Sequence, residues 1–306
     1  MPERLFIGVD GGATNCRARI ADAAGNVMGE ARLRSPANIA ERKPAVVAKL
    51  ILRAVRQAAR GSRIAEARWR AANVGMGLAG GDVKSAVREL KRAFRDAEYF
   101  QKVDVRTDAY ATWLGAFDGD DGAILILGTG SCGLAVVAGT ESYVSGYGSQ
   151  ISDEASAQWI GRMAIRRSLW ARDGRIARTP LAEAILARFK DSPEKVVTFA
   201  AKATASDFGE FAPLVFDHAQ RGDLLARAII SDAAADAEVM IARLLDLGAR
   251  SVYLHGGIAE QLSKWLRPET RKRLKMPMNV ESTALEGAVL LARRTASRPR
   301  RKAGGP

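Results

Sequence analysis

The residues best suited to chemistry in this chain are two carboxylates, Asp10 and Asp108, and two short turns rich in glycine and hydroxyls. The turns lie in LFIGVDGGATNCRARI, starting at Leu5, and GAILILGTGSCGLAVV, starting at Gly122. In each, an apolar run with the character of a buried strand ends in glycines and resumes as a second strand. Glycines there let backbone N–H groups point into a concavity where phosphate oxygens fit without interference from a Cβ. Gly11, Gly12 and Thr14 would serve in the first clip, and Gly128, Thr129, Gly130 and Ser131 in the second. Aligned without gaps, Gly12, Cys16 and Ile20 fall opposite Gly128, Cys132 and Val136, the pattern of one hairpin used twice. Two such clips could grip one nucleotide from both sides. Asp-Gly between apolar strands also makes an ordinary hairpin turn, which asks only for residues that tolerate positive φ. The shared register, and the carboxylate of Asp10 at the end of the first strand, favour phosphate.

Phosphoryl transfer needs a base near the acceptor hydroxyl, a metal-positioning carboxylate near the phosphates, and donors for the phosphate oxygens. The sequence offers a candidate for each. Asp108 follows a strand and precedes a helix, which puts it at the strand's carboxyl end, where open α/β sheets bind ligands. Capping that helix is its other possible role. Asp10 could equally be a turn aspartate.

The elements that must position these groups are readable in outline. The N-terminal part runs strand, strand, a third strand near Val27 to Leu33, then a helix from Pro44 to about Ala59 with apolar Val46, Val47, Leu50 and Val55 expected on one face. A strand over Ala72 to Leu78 follows, then a helix that starts at Asp82 as N-cap and carries Val83, Val87, Leu90 and Phe94. The strand Val103 to Thr107 delivers Asp108, and a helix over 109–117 leads to the second clip, which begins a second run of three strands. Helices are expected over Glu154 to Trp170, Leu181 to Phe189, Asp223 to Leu247 and Ala259 to Leu266, with a strand Ser251 to His255 that ends in Gly256 and Gly257. A final helix, Ala284 to Arg294, has Glu286, Gly287 and Ala288 for close packing. No Pro-, Gly- or Ser-rich linker separates the halves, which suits hinge closure around a cleft.

Composition narrows the field. At 306 residues and 47% hydrophobic content, two ordinary domains can be filled. No apolar run approaches the ~20 residues that span a bilayer, and Met1 to Arg4 leads straight into a strand without the pattern of a secretory leader, so a cytoplasmic protein without membrane partners is expected. The two cysteines, Cys16 and Cys132, both sit in the clips and read as buried reduced thiols. His218 and His255 lack ligand-spaced neighbours, so no His/Cys metal site is expected. Six of the basic residues behind the net charge of +13 are Arg293, Arg294, Arg298, Arg300, Arg301 and Lys302, and residues 295–306 read as a disordered basic tail. The rest is spread along helices such as Arg162 to Arg172, placed to draw in polyanionic ATP rather than nucleic acid.

DGGAT at Asp10 to Thr14, TDAY at Thr107 to Tyr110, GTGSC at Gly128 to Cys132, SDEAS at Ser152 to Ser156 and HGG at His255 to Gly257 together spell a plan. In order and spacing the chain resembles the actin-like ATPase superfamily of sugar kinases. Within it, the chain is most similar to the N-acetylglucosamine and glucosamine kinases grouped with the reductase-activator ATPases, the BadF/BadG/BcrA/BcrD type. The resemblance runs from Leu5 to about Arg294, and CRARI, TDAY, LGTGSCG and ISD look closest to bacterial glucosamine kinases.

That resemblance implies an α/β fold of two duplicated ribonuclease-H-like domains with an interdomain cleft, residues 1–108 and 109–283, the final helix 284–294 packing back on the first. It implies ATP and Mg²⁺ as cofactors, a homodimer, and transfer of the γ-phosphate to the 6-hydroxyl of glucosamine or N-acetylglucosamine. Asp108 would be the base, and Asp10 would hold Mg²⁺ through waters. Thr14 and Thr129 would bind phosphates with the clip glycines Gly11, Gly12, Gly128 and Gly130, and Gly256 and Gly257 would face the adenosine. Asn38, Ser131, Gly146, Tyr147 and Asp153, with Asp108, would hold the sugar. Capping for Asp153, a loop role for Asn38 and a plain turn for Gly256-Gly257 remain alternatives. Two positions depart from the family pattern: Ala13 replaces a third glycine, and SDEAS replaces a GDEGS-like segment. Rival functions are an N-acetylmuramate kinase, a reductase-activating ATPase holding an iron–sulfur cluster between subunits, and a nucleotide- or sugar-binding regulator without turnover.

Overall fold

The computed structural model describes residues 4–275 and 280–297, with side chains of the last helix described from Thr283 on. In chain order the first elements are β1 (Phe6–Gly11), β2 (Cys16–Ala21), β3 (Val27–Leu33), α1 (Pro44–Gly61), α2 (Glu66–Arg70), β4 (Asn73–Leu78), α3 (Lys84–Asp96), β5 (Lys102–Thr107) and α4 (Asp108–Phe117). Then follow β6 (Gly122–Leu127), β7 (Ser131–Val137), β8 (Thr140–Val144), α5 (Ala157–Arg172), α6 (Pro180–Arg188), α7 (Pro193–Ala200), α8 (Ala205–Gly209), α9 (Ala212–Gln220) and α10 (Leu224–Asp246). The chain continues through β9 (Val252–His255), α11 (Ala259–Ser263), α12 (Pro268–Arg271), β10 (Leu274–Lys275) and α13 (Val280–Ser297). It divides into two units, residues 1–120 with 278–306, and residues 121–277.

In the first unit the sheet order is β3-β2-β1-β4-β5. β1 runs antiparallel to β2 and parallel to β4, and β4 runs parallel to β5. One face carries Ile7, Val9, Val74 and Met76, which share a buried cluster with Ile51 and Val55 of α1 and Leu90 and Phe94 of α3. Fully burying a side chain of this size contributes about 1.5–3 kcal/mol. The other face is lined by small residues because helix backbone comes so close: a Cβ on Gly75 would stand 2.2 Å from the Ala288 carbonyl of α13. α13 and α4 touch in the same way, with a Cβ on Gly287 only 1.7 Å from the Ala111 carbonyl. α4 therefore belongs to the first unit, and the boundary falls after Asp120 rather than at Asp108.

The second unit repeats the plan. Its sheet order is β10-β9-β6-β7-β8, with β6 antiparallel to β7 and parallel to β9. Ile160, Ile185, Phe216, Ile229, Ile230 and Ile241 share one buried cluster with the sheet's Leu125, Leu127 and Leu254.

Several elements differ from expectation. α3 starts at Lys84 with Val83 at its N-cap and no side-chain cap bond, so Asp82 caps nothing there. α5 starts at Ala157, not Glu154, because Asp153 (φ 64°) and Ala155 (φ 62°) are left-handed and cannot continue a helix. α11 ends at Ser263. The short helices α7, α8 and α9 were not anticipated, since their periodic runs are too brief to stand out. α13 runs through Ser297, so residues 295–297 are helix rather than tail, while residues 298–306 lie outside the described residues. Among the described residues no helix is long and apolar enough to cross a membrane.

Candidate active site

Because β1, β4 and β5 are parallel, their carboxyl ends share one edge, with Asp10 in register with Gly77 and Gly77 with Arg106. Asp108 follows directly as the first residue of α4. The cap of that helix is Thr107, whose Oγ1 accepts the Tyr110 N–H at 3.0 Å. Asp108 is thus relieved of capping, and its Oδ1 accepts the Ala109 N–H at 2.9 Å. Burial and then the charge of Asp10 push the Asp108 carboxyl up to about 6, against the opposing pull of that amide. Gly77 makes the approach possible, since a Cβ there would stand 2.4 Å from the Ala111 methyl and 3.4 Å from Asp108 Cα.

Asp10 is gripped by a residue that sequence reasoning missed. Arg17 lies directly opposite on β2, and its Nε and Nη2 reach Asp10 Oδ2 at 2.8 and 2.7 Å, with both side chains more than four-fifths buried. The signal was the CRARI segment, but pairing Arg17 with Asp10 requires the turn length. Next to it, burial and then the charge of Asp10 push the Cys16 thiol up to about 12, which leaves it inert.

The loop carrying Asn38 is hooked to the first clip, with the Ala37 N–H donating to Gly12 O at 2.9 Å. The Ala79 N–H donates to Gly11 O at 2.8 Å, so the loop after β4 joins the same edge. Asn38 Oδ1 accepts the Ala40 N–H at 2.9 Å, the loop role foreseen as its alternative. In the clip itself the Gly12 N–H donates to Asn15 O at 3.0 Å, and a Cβ on Gly12 would meet nothing within 4 Å. No residue from Gly11 to Asn15 or from Gly128 to Ser131 has a positive φ, so neither clip is the two-residue hairpin turn of the competing reading. The same fact accommodates Ala13 in place of a glycine.

In the second unit the Gly128 N–H donates to Gly130 O at 2.9 Å, and the first amides of α5 turn toward the clip: Ala157 N–H to Gly128 O at 2.9 Å and Gln158 N–H to Thr129 O at 3.2 Å. Asp153 is buried with its carboxylate against Gly130, where a Cβ would stand 2.8 Å from Oδ2. It does not cap α5, because Ser156 does. Ser131 is buried and its hydroxyl donates to the Glu154 carbonyl at 2.7 Å, so its proton ties the loop down. Gly146 (φ 84°) packs on Cys132, where a Cβ would stand 2.8 Å from Sγ, and Tyr147 is 72% exposed. Cys132 is only half-buried, contrary to expectation. Gly256 (φ 113°) leaves no room for a side chain, with a Cβ 2.4 Å from the Leu127 carbonyl, while Gly257 is open.

Among the described residues no three His, Cys, Asp or Glu side chains gather as a metal cage. Asp10, a hard oxygen donor held in place beside the first clip, fits an ion such as Mg²⁺ that takes one or two carboxylates and fills the rest with water and phosphate.

Glucosamine kinase GspK of Vibrio cholerae is 36% identical over 287 residues, covering 94% of this chain and 95% of that protein. The N-acetylmuramic acid/N-acetylglucosamine kinase of Clostridium acetobutylicum is 25% identical, with 95% and 98% covered. A crystal structure of a protein assigned as an N-acetylglucosamine kinase in Chromobacterium violaceum superposes at TM-score 0.84 with 32% identity, covering 95% of this chain and 99% of that one. A ROK family glucokinase from Streptomyces griseus, solved with glucose and AMPPNP, shares the two-domain fold at TM-score 0.62 and 21% identity over 95% of this chain and 99% of that one. The family model for BadF/BadG/BcrA/BcrD ATPases matches residues 7–292, from β1 through α13 and so across both clips and Asp108, and the chain belongs to that family.

Proposed function

We propose that this protein is an ATP-dependent amino-sugar kinase that phosphorylates the 6-hydroxyl of glucosamine or N-acetylglucosamine. The observation that carries this reading is Asp108: a carboxyl at the carboxyl edge of a parallel sheet, beside Asp10, and pushed up to about 6. A base is most effective when its pKa lies near the working pH. The names of the 36% and 32% identical relatives support the substrate class, and the first tips the choice toward glucosamine. The name of the 25% identical relative keeps N-acetylmuramate in the panel.

In the first unit, Asp108 accepts the proton of the acceptor hydroxyl, Asn38 bonds a ring hydroxyl, and Gly11, Gly12 and Thr14 meet phosphate. Asp10, oriented by Arg17, would hold Mg²⁺ through water; bound with ATP, the ion neutralises charge on the phosphates. In the second unit, Gly128, Thr129 and Gly130 meet phosphate, Gly256 and Gly257 face the adenosine, and Gly146, Tyr147 and Asp153 bond the sugar. Ser131 anchors the loop that carries them. Backbone N–H groups stabilise charge developing in the transition state. The protein is expected to be a cytoplasmic homodimer, a state read by light scattering.

The test is ADP release from MgATP with glucosamine, N-acetylglucosamine, N-acetylmuramate, glucose or no sugar. Turnover that depends on an amino sugar and disappears in Asp108→Asn is expected. Hydrolysis indifferent to sugar would move the reading to an activator ATPase.

A further inference from the structure

We propose that Glu154 is a positioning residue that sets the shape of the substrate loop, residues 145–153; the sugar half of this claim rests on the amino-sugar kinase reading. Three hydroxyls converge on this one residue. Ser145 Oγ donates to Glu154 Oε2 at 2.7 Å and Ser152 Oγ to the same oxygen at 3.1 Å, while Ser131 Oγ donates to its carbonyl at 2.7 Å. The end of β8, the turn before α5 and the start of β7 are thereby tied to a single point. Partial burial works against ionisation, but the Ser145 hydroxyl, the residue's own amide and the Ser152 hydroxyl outweigh it and hold the Glu154 carboxyl below its ordinary range. Its charge also reaches Asp236 of α10, which burial and then that charge push up.

The loop needs such a tie. Ser145 (φ 60°), Asp153 (φ 64°) and Ala155 (φ 62°) are left-handed, a conformation that non-glycine residues hold only when their surroundings impose it. The core holds Ala155, which is fully buried, but apolar packing does not reach the loop's tip, where Tyr147 is 72% and Ile151 80% exposed. One further tether, Arg162 Nη1 to Ser149 O at 2.9 Å, reaches the tip from α5. A carboxylate suits the post because it is acceptor-only and one of its oxygens takes two hydroxyl donors. Ser152 also accounts for one departure from the family pattern, since a glycine in its place could make neither the bond to Glu154 nor the 2.8 Å contact between the Ser152 and Ser145 hydroxyls.

The test combines steady-state kinetics with hydrogen exchange on the full-length protein and its Glu154→Ala and Glu154→Gln variants. Losing charge-assisted bonds that shape the loop should raise the sugar KM roughly tenfold in Glu154→Ala, with kcat and the ATP KM within about twofold. Peptides covering 145–153 should exchange faster, with the rest of the second unit unchanged. Glu154→Gln keeps a carbonyl acceptor and should return the sugar KM to within about threefold of the parent. An unchanged sugar KM, sugar and ATP KM rising together, or faster exchange throughout the second unit would each overturn the proposal. A parent protein inert toward every sugar overturns the kinase reading, and is recognised before any substitution is made. Exchange of the loop then judges the latch alone, which stands if Glu154→Ala loosens 145–153 and falls if it does not.

Discussion

In the first unit, residues 12–15 lie between the paired ends Gly11 and Cys16; in the second, residues 128–130 lie between Leu127 and Ser131. The second turn is one residue shorter. The ungapped match of the two segments therefore holds along β1 and β6 but slips by one along β2 and β7, and a slip of one turns every side chain to the opposite face. Arg17 stands opposite Asp10, whereas Cys132 stands opposite Ile126, which takes Asp10's place. One clip carries an ion pair beside the Asp108 carboxyl, and the other has no ion pair of its own but the Asp153 carboxylate against Gly130, the first amides of α5 beneath it and the Gly256 turn behind. The two copies kept one topology and divided the chemistry.

The largest expected effect concerns Asp108, the proposed base, which lies in the first unit. Asp108→Asn should lower sugar-dependent kcat by about 10²–10⁴-fold with the urea midpoint at pH 7 unchanged or raised; a modest loss of rate would break the division of labour. Next is the ion pair. Asp10→Asn strips the largely buried Arg17 of its carboxylate and should cost about 3 kcal/mol in urea unfolding, against about 1 kcal/mol for Ile126→Val at the matching position. Equal costs would mean the pair is incidental.

Titration sharpens the same contrast. Since the Asp108 carboxyl is raised from 3.8 to about 6 in the folded chain, its contribution to stability is fully present below 3.8 and is lost as pH rises through about 6. Activity runs the other way, because the base must be ionised. The kcat profile should fall about tenfold per unit below pH 6, and Asp108→Asn should remove the matching slope from the pH dependence of stability.

The smallest effect separates the two turns. Gly12→Ala, where a Cβ meets nothing within 4 Å, should change stability by no more than about 0.5 kcal/mol while raising the ATP KM. Gly130→Ala must displace the Asp153 carboxylate, 2.8 Å away, and should lower the melting temperature and raise the sugar KM as well. A pair of variants with the same profile would show that the clips are equivalent after all.

Much of the frame was legible in the chain because it is local. Apolar runs broken by Gly-Gly and by Gly-Thr-Gly marked β1 and β6, helical spacing marked α1, and Gly287 announced a close helix contact. The reading failed where distant residues decide the outcome. Thr107 rather than Asp108 caps α4, and Ser156 rather than Asp153 caps α5, because neighbouring residues with similar capping chemistry are sorted only by the backbone angles that packing selects. Asp82 reads as a cap but has none to make. Arg17 and Glu154 stood in quoted motifs without a role, since the partners of each come from pairing register and loop closure.

The sequence alone determined that the chain builds two α/β halves around glycine-rich clips, because periodicity, β-branched runs and turn residues act over a few neighbours at a time. Only the tertiary structure decided which carboxylate is desolvated, which arginine meets Asp10, where the first unit ends and which residue latches the loop. Those depend on a one-residue difference in turn length, which sets the strand register, and on helix backbone packed against glycines from distant parts of the chain, and neither is written in the pattern of neighbouring residues.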